Sequence, residues 1–283
     1  MSSNAAVIRQ HLEDIYDIPF TVYEKREDNT PFYLISPECE DGDVFTIKIG
    51  LKRKSRIVAE ITPAKHSADF IRDMENADTG KKLKFAGYAS LIKERGAKLE
   101  FRINDSEQNP EAYNEWPEQW RKYYCRISKP EAVPEEGEVN LSEIIAEWAS
   151  LAAGMFISLL NVELCDETVD EQDCLMSEGG SRLITSRRYE RNRINRELCL
   201  AANGHSCKIC GFDFEKVYGD LGSRFIHVHH IVPVSEMKEE YLLNPRTDLI
   251  PVCPNCHAML HREDPPLTPE QLKSVMNKTT ENQ

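Results

Sequence analysis

The sequence predicts an α+β protein of two domains, and three observations support this prediction. Residues 1–160 contain segments of period-two apolar patterning interspersed with segments of helical periodicity. The second half instead gathers cysteines and histidines at short spacings. A chain of 283 residues that is 40% hydrophobic suits two domains, each with its own core. We expect a domain at 1–160, an acidic linker at 161–181, a domain at 182–265 and a polar tail at 266–283.

The elements of the first domain follow from its patterning in chain order. A short amphipathic helix, "AVIRQHLEDIY", comes first, and one or two helices are predicted over 67–96. Asn140, with Glu143 three residues later, marks the start of a helix over 141–160. Six segments alternate apolar and polar residues and are rich in β-branched and aromatic side chains, as strands are: "FTVYEK", "PFYLIS", "DVFTIKIGLK", "RIVAEITP", "AKLEFRIN" and "WRKYYCRISKP".

The charge and hydropathy of the chain restrict its function. The net charge of −13 falls entirely within residues 1–175, which carry 21 basic and 34 acidic residues, against 14 of each in 176–283. An acidic chain binds nucleic acid only through a local basic face. The most apolar run, 144–160, is short and contains Glu147, so it predicts a buried helix and no membrane insertion. Because the N-terminus also lacks a signal-peptide pattern, we expect a cytoplasmic protein.

Four of the nine cysteines form two C-x-x-C pairs, Cys207/Cys210 and Cys253/Cys256. Each pair aims two sulfurs at one point, and two such pairs complete the tetrahedron of thiolates that a structural Zn²⁺ accepts. Redox activity would call for a βαβ context that is missing here. A mixed Cys/His set using His205 or His257 is a possible alternative but is not needed. Five cysteines lack such spacing and are predicted to be ordinary free thiols: Cys39, Cys125, Cys165, Cys174 and Cys199.

Histidines mark a second candidate metal site in the same domain. "FIHVHHI" reads as a strand that contains His229 and His230, and "TDLIPV" reads as a second strand. "CPNCHAMLH" then reads as a helix on which His257 and His261 are spaced i, i+4 and therefore share a face. This order makes a ββα unit with a metal between its elements. Alternatively, His230 could be a core residue and His261 an ordinary residue at a helix end.

The segment 182–262 resembles the HNH (ββα-metal) endonuclease family in its zinc-stapled bacterial form. The resemblance rests on the two C-x-x-C pairs, the His-His pair and the C-H-x-x-x-H sequence taken together. It implies a C-terminal ββα-metal nuclease domain with a structural four-cysteine zinc. It also implies a second divalent ion, Mg²⁺ or a transition metal, for hydrolysis of DNA. Residues 1–160 resemble no family that we recognise.

The resemblance assigns roles to individual residues. His229, His257 and His261 match ligands of the catalytic ion, and His230 matches the general base. The family's middle asparagine, which braces the loop around the base, is Asp248 in this chain, nine residues before His257. An aspartate accepts the same hydrogen bonds but cannot donate them. Asn244 and Asn255 are less well placed for this role.

An arginine-rich stretch, "SRLITSRRYERNRINREL", precedes the first cysteine pair. A local arginine cluster can bind phosphates even in a neutral domain, so we predict a DNA-binding helix. The alternative is a solvated helix whose arginines pair with Glu190 and Glu197. The predicted DNA contacts are Arg187, Arg188, Arg191, Arg193 and Arg196.

These observations predict a metal-dependent DNA endonuclease that acts in bacterial defence against phage or foreign DNA, as a restriction-like enzyme or as an effector. Residues 1–160 would then be a recognition or regulatory domain whose acidity would restrain the nuclease. Partners could be DNA, defence-system proteins and a second copy of the chain. A zinc-stabilised DNA-binding module that does not cut is the alternative function, and an RNase is a third.

Overall fold

The computed structural model describes residues 3–39, 42–52, 55–65, 67–133, 140–160, 193–232, 241–263 and 265–280. The chain divides into two compact units, Met1–Glu163 and Leu164–Gln283. The acidic linker predicted over 161–181 lies outside the described residues. Both units combine helices with strands, which confirms the α+β prediction.

The first unit is built on an antiparallel sheet in the order β1-β2-β4-β5-β8-β6-β7, with β3 paired to β2. All six predicted strand segments contribute to it. The last strand, β8, lies between β5 and β6, so pairing there joins residues far apart in sequence. The strands are β1 (Phe20–Glu27), β2 (Thr30–Cys39), β3 (Gly42–Asp43), β4 (Phe45–Lys52), β5 (Arg56–Pro63), β6 (Lys98–Ile103), β7 (Ser106–Gln108) and β8 (Tyr123–Lys129).

The described residues of the first unit also form four α-helices: α1 (Ser3–Tyr16), α2 (Ala68–Glu75), α3 (Thr79–Glu94) and α4 (Leu141–Ile157). As predicted, α4 begins at Asn140, whose side chain accepts a hydrogen bond from the Ser142 backbone N–H. The apolar helix contacts α1, α3 and β4 and is buried on nearly every side. Gly154 permits this packing, because a Cβ there would lie 2.4 Å from the Tyr16 hydroxyl.

The second unit contains α5 (Arg193–Asn203), α6 (Phe214–Tyr218), β9 (His227–His230), β10 (Leu249–Val252), α7 (Pro254–Leu260) and α8 (Pro269–Thr280). Strands β9 and β10 pair antiparallel, and α7 follows β10 directly, which gives the predicted ββα order. In the described part of the chain, no helix is both long enough and apolar enough to cross a membrane.

The segment predicted as a polar tail contains a helix in its described part. Residues Pro269–Thr280 form α8, and the side chain of Leu272 on this helix is buried in the core of the second unit. Leu267 packs against the same core, and its backbone N–H donates to the Leu260 carbonyl at 2.8 Å. Leu272 shares a helical spacing with Val275 and Met276, but those two side chains are exposed, so the sequence pattern alone did not indicate that Leu272 packs on the core.

Candidate metal centres and catalytic site

The two cysteine pairs of the second unit converge on one point. The Cys207–Cys210 turn follows α5 and is closed by Gly211. The φ of Gly211 is +76°, in the left-handed region that favours glycine. Cys253 caps the N-terminus of α7, where its sulfur accepts from the Cys256 backbone N–H at 3.4 Å. The four Sγ atoms lie within 4.8 Å of one another. This donor set is compatible with a structural zinc ion.

The surroundings of the thiols show why a cation suits this cluster. Burial opposes the charge on Cys207, but hydrogen bonds from the backbone of Cys210, Cys253 and Ile209 outweigh it and lower its pKa to about 7. Burial raises the pKa of Cys253 and of Cys256, and the neighbouring Cys207 sulfur raises both further. Four thiolates this close repel one another, so a dication stabilises them together.

Three histidines form a second cluster between β9 and α7. In the β9–β10 register His229 lies opposite Ile250, while α7 supplies His257 and ends at His261. The His229 ring centroid lies 5.4 Å from that of His257 and 5.1 Å from that of His261. One ring nitrogen from each of the three residues lies within 4.8 Å of the others. Imidazole nitrogens arranged in this way can hold a divalent transition metal with open positions for water and substrate.

The protonation of His229 suits a metal ligand. Burial, together with the charges of His257, His261 and His230, lowers the pKa of His229 to about 3. The imidazole is therefore neutral at physiological pH, and a lone pair is available without the release of a proton.

Two further histidines of β9 border this cluster. His227 is exposed, and its ring lies 5.2 Å from that of His257 in a T-shaped arrangement. Alternation along the strand places His227 on the face of His229. His230, the predicted general base, is half-buried and lies opposite Leu249 in the register.

Asp248 lies at the start of β10, beside the end of β9. Its carboxylate accepts hydrogen bonds from the Tyr241 hydroxyl, the Asn244 backbone N–H and the Thr247 hydroxyl, each at 2.8 Å. Burial raises the pKa of this carboxyl, but these donors outweigh burial and the net pKa is lowered. The Asp248 carbonyl also accepts from the Ile231 backbone N–H at 2.9 Å. Asp248 therefore ties residues 241–248 to the chain that leaves His230.

The predicted arginine cluster is only partly described. Arg187, Arg188 and Arg191 lie outside the described residues, whereas Arg193 and Arg196 lie on α5. Arg196 reaches the Arg224 carbonyl, and the buried Glu197 forms an ion pair with the Arg224 guanidinium. At least one acidic residue of this helix thus has a structural partner.

A cluster of aromatic residues next to the histidines was not foreseen. Phe214 contacts Phe212, Tyr218 and Phe225, and Phe225 in turn lies 6.4 Å from His227 between ring centroids. These rings come from a short helix and two loops, so they have no common period in the sequence.

This combination of a ββα unit, three converging imidazoles and a four-cysteine cluster defines a class of metal-binding nuclease domains. The family model described as HNH endonuclease matches residues 207–263, so this segment is an HNH endonuclease domain and its expected substrate is DNA. The match spans both cysteine pairs and the histidines from His227 to His261. The comparison with curated proteins and the comparison with solved structures each gave no significant match.

Proposed function

We propose that the chain is a metal-dependent endonuclease that hydrolyses DNA phosphodiesters with His230 as general base. The convergence of the His229, His257 and His261 rings is the observation that carries this proposal. Binding of DNA alone does not require imidazoles at one point, whereas metal-assisted hydrolysis requires neutral ligands and a nearby base. His230 follows the buried ligand candidate His229 directly in β9.

The chain's own residues divide the reaction between them. A divalent cation held by the three imidazoles would neutralise developing charge on the phosphate and on the leaving oxygen. His230 would take the proton of the attacking water. Attack on phosphorus with cleavage of the P–O3′ bond and protonation of the leaving oxygen would then give a 5′-phosphate and a 3′-hydroxyl. Asp248 would act as a positioning residue, since its three hydrogen bonds hold the loop next to the strand that carries the base. A zinc ion on the four cysteines would hold α7 in place.

Arginines of the segment 182–196 are proposed to contact the DNA backbone, because Arg193 and Arg196 are only half-buried on the helix that leads to the first cysteine pair. The described residues hold one such histidine cluster, which favours nicking by a monomer, whereas a homodimer would cut both strands.

We also propose a role in bacterial defence, with the first unit recognising a modified base, a DNA structure or a partner protein. The support is the presence of a separate α+β unit beside the HNH domain. This part of the proposal rests on the architecture alone and is therefore tested by substrate preference rather than by mutation of the metal site.

The direct experiment incubates the full-length protein with supercoiled plasmid, with modified phage DNA and with RNA, each with Mg²⁺, with Mn²⁺ or without added metal. We expect that the protein nicks or linearises DNA only when metal is added and that the RNA stays intact. A preference for modified DNA would support the recognition role. A folded, zinc-loaded protein that binds DNA but cuts no substrate would instead be the non-cleaving module.

A further inference from the structure

Four aromatic rings, three of them exposed and one half-buried, form a continuous surface that ends at the histidine cluster. We call Phe214, Tyr218, Phe225 and His227 the aromatic surface. Tyr218 stacks on Phe214 with 21° between their planes, and Phe225 lies edge-on to Phe214 with centroids 4.8 Å apart. Tyr218 is 57% exposed and Phe225 is 51% exposed, so about half of each ring surface is open to solvent. His227 then links Phe225 to His257.

The local backbone holds these rings in place. Asp213 caps α6 through the Lys216 backbone N–H and also accepts from the Ser206 hydroxyl at 2.8 Å. The turn after α6 packs so closely that a Cβ on Gly222 would lie 2.2 Å from the Phe214 carbonyl oxygen. The Phe225 backbone N–H donates to the Gly222 carbonyl at 3.2 Å. The rings are therefore presented by a braced segment, which lowers the entropy cost of binding a flat ligand.

We propose that the aromatic surface stacks unpaired nucleobases beside the phosphodiester that is cut, so that the enzyme prefers single-stranded or locally unpaired DNA. This inference rests on the proposed function. Flat apolar faces of nucleobases are hidden inside a duplex and become available only when the bases are unpaired. Because His227 contacts the candidate ligand His257, a strand whose phosphate reaches the metal would place neighbouring bases over these rings.

The charges around the surface point to stacking rather than to phosphate contact. Residues 213–225 carry Asp213, Glu215 and Asp220 against Lys216 and Arg224, which gives no excess of positive charge. Binding through the rings should therefore depend only weakly on salt, unlike binding through arginines. A second copy of the chain or another protein is a less suitable occupant, because it would cover the approach to the histidine cluster.

The test measures binding by fluorescence anisotropy with full-length protein that carries His230→Ala, so that no substrate is cut. The probes are a short single strand, the matching blunt duplex and a duplex with a central unpaired bubble. Phe225→Ala should weaken binding of the single strand and the bubble by about 5- to 100-fold and change binding of the duplex little. Phe225→Leu should weaken binding of the single strand and the bubble by a similar factor, and Phe225→Trp should bind these two probes like the parent. Leu221→Ala, at an exposed apolar but non-aromatic position of the same turn, should bind like the parent.

The zinc content of each variant shows whether the second unit is folded, and Tyr218→Leu provides an independent loss of a stacking ring. Unchanged binding of unpaired DNA in folded Phe225→Ala and Tyr218→Leu would overturn the inference, as would an equal loss on all three probes. A change of oligomeric state in these variants would overturn it in favour of a protein interface. Plasmid cleavage by the wild type tests the proposed function separately, so each idea can fail without the other.

Discussion

The ring of His229 lies 5.1 Å from the ring of His261, although one is a buried residue of a strand and the other ends a helix. The pairing of β9 with β10 and the direct passage of β10 into α7 create this proximity. The four-cysteine cluster anchors the same helix at its first turn, because Cys253 and Cys256 flank its start. The structural and the catalytic candidate sites thus share α7.

Replacement of His257 should weaken binding of the catalytic ion. Loss of a residue that only supports a ligand commonly costs 10- to 100-fold in affinity, so loss of a ligand in His257→Ala should cost more than about 100-fold. Titration calorimetry with Mn²⁺ on the full-length protein measures this change. His11→Ala, on α1 of the first unit, is the matched histidine control. Equal Mn²⁺ affinity in the two variants would remove His257 from the ligand set.

Stability should depend on pH through His229. Its folded pKa of about 3 lies below the usual value near 6.5, so the unfolded chain binds a proton first as the pH falls. Without added divalent cation, this group should lower the free energy of unfolding by up to about 2 kcal/mol between pH 7 and pH 5.

The pH effect is isolated by comparison with His229→Gln, since the cysteine cluster also responds to acid and contributes equally to both proteins. Urea unfolding at pH 7 and pH 5 gives the two stability differences. The wild type should lose more stability than the variant on acidification. The same loss in both proteins would mean that the folded His229 is protonated as readily as the unfolded residue.

Removal of one cysteine from the four-cysteine cluster should release zinc and unfold the second unit. Metal binding provides much of the folding free energy in small zinc domains, so Cys207→Ala should leave α5 and α7 without a stable arrangement. Zinc content and limited proteolysis report the effect. Cys199→Ala is the control, because Cys199 is a buried thiol outside the cluster. Burial raises the pKa of the Cys199 thiol to about 12. Full zinc retention in Cys207→Ala would contradict the assignment.

The carboxylate of Asp248 should be replaceable by an amide but not by a methyl group. Asp248→Asn keeps a carbonyl oxygen for the Tyr241 hydroxyl and the Asn244 N–H, and the Thr247 hydroxyl can rotate to accept from the new amide. We expect Asp248→Asn to cleave DNA within a few-fold of the wild-type rate.

Asp248→Ala loses all three hydrogen bonds and should reduce the cleavage rate by at least about 10-fold, with zinc content unchanged. Single-turnover kinetics distinguish these results. Equal loss in both variants would show that the negative charge itself is required, and equal activity would remove the positioning role.

The sequence predicted most elements of this fold for identifiable reasons. Alternating β-branched and apolar residues located every long strand of the sheet, and Asn140 located the start of α4. The C-x-x-C spacings and the i, i+4 spacing of His257 and His261 are local features, so the clusters that they form could be expected before the fold was known.

Other features depend on contacts that no local pattern encodes. The insertion of β8 between β5 and β6 follows from tertiary pairing rather than from any single strand. The burial of Leu272 joins α8 to a core formed by residues far away in sequence. The edge-on contact of Phe225 with Phe214 likewise joins a loop to a short helix eleven residues earlier in the chain. Such features become visible only when the chain is folded.

The measurement that tests the central claim most directly is cleavage of supercoiled plasmid by wild-type protein and by His230→Ala in Mg²⁺ or Mn²⁺. His11→Ala serves as the histidine control, and zinc content verifies folding. We predict metal-dependent cleavage by the wild type and the control, and a loss of at least about 100-fold in His230→Ala, since general-base catalysis contributes 10²–10⁴-fold. Wild-type rates in a folded His230→Ala protein would contradict the assignment of the base.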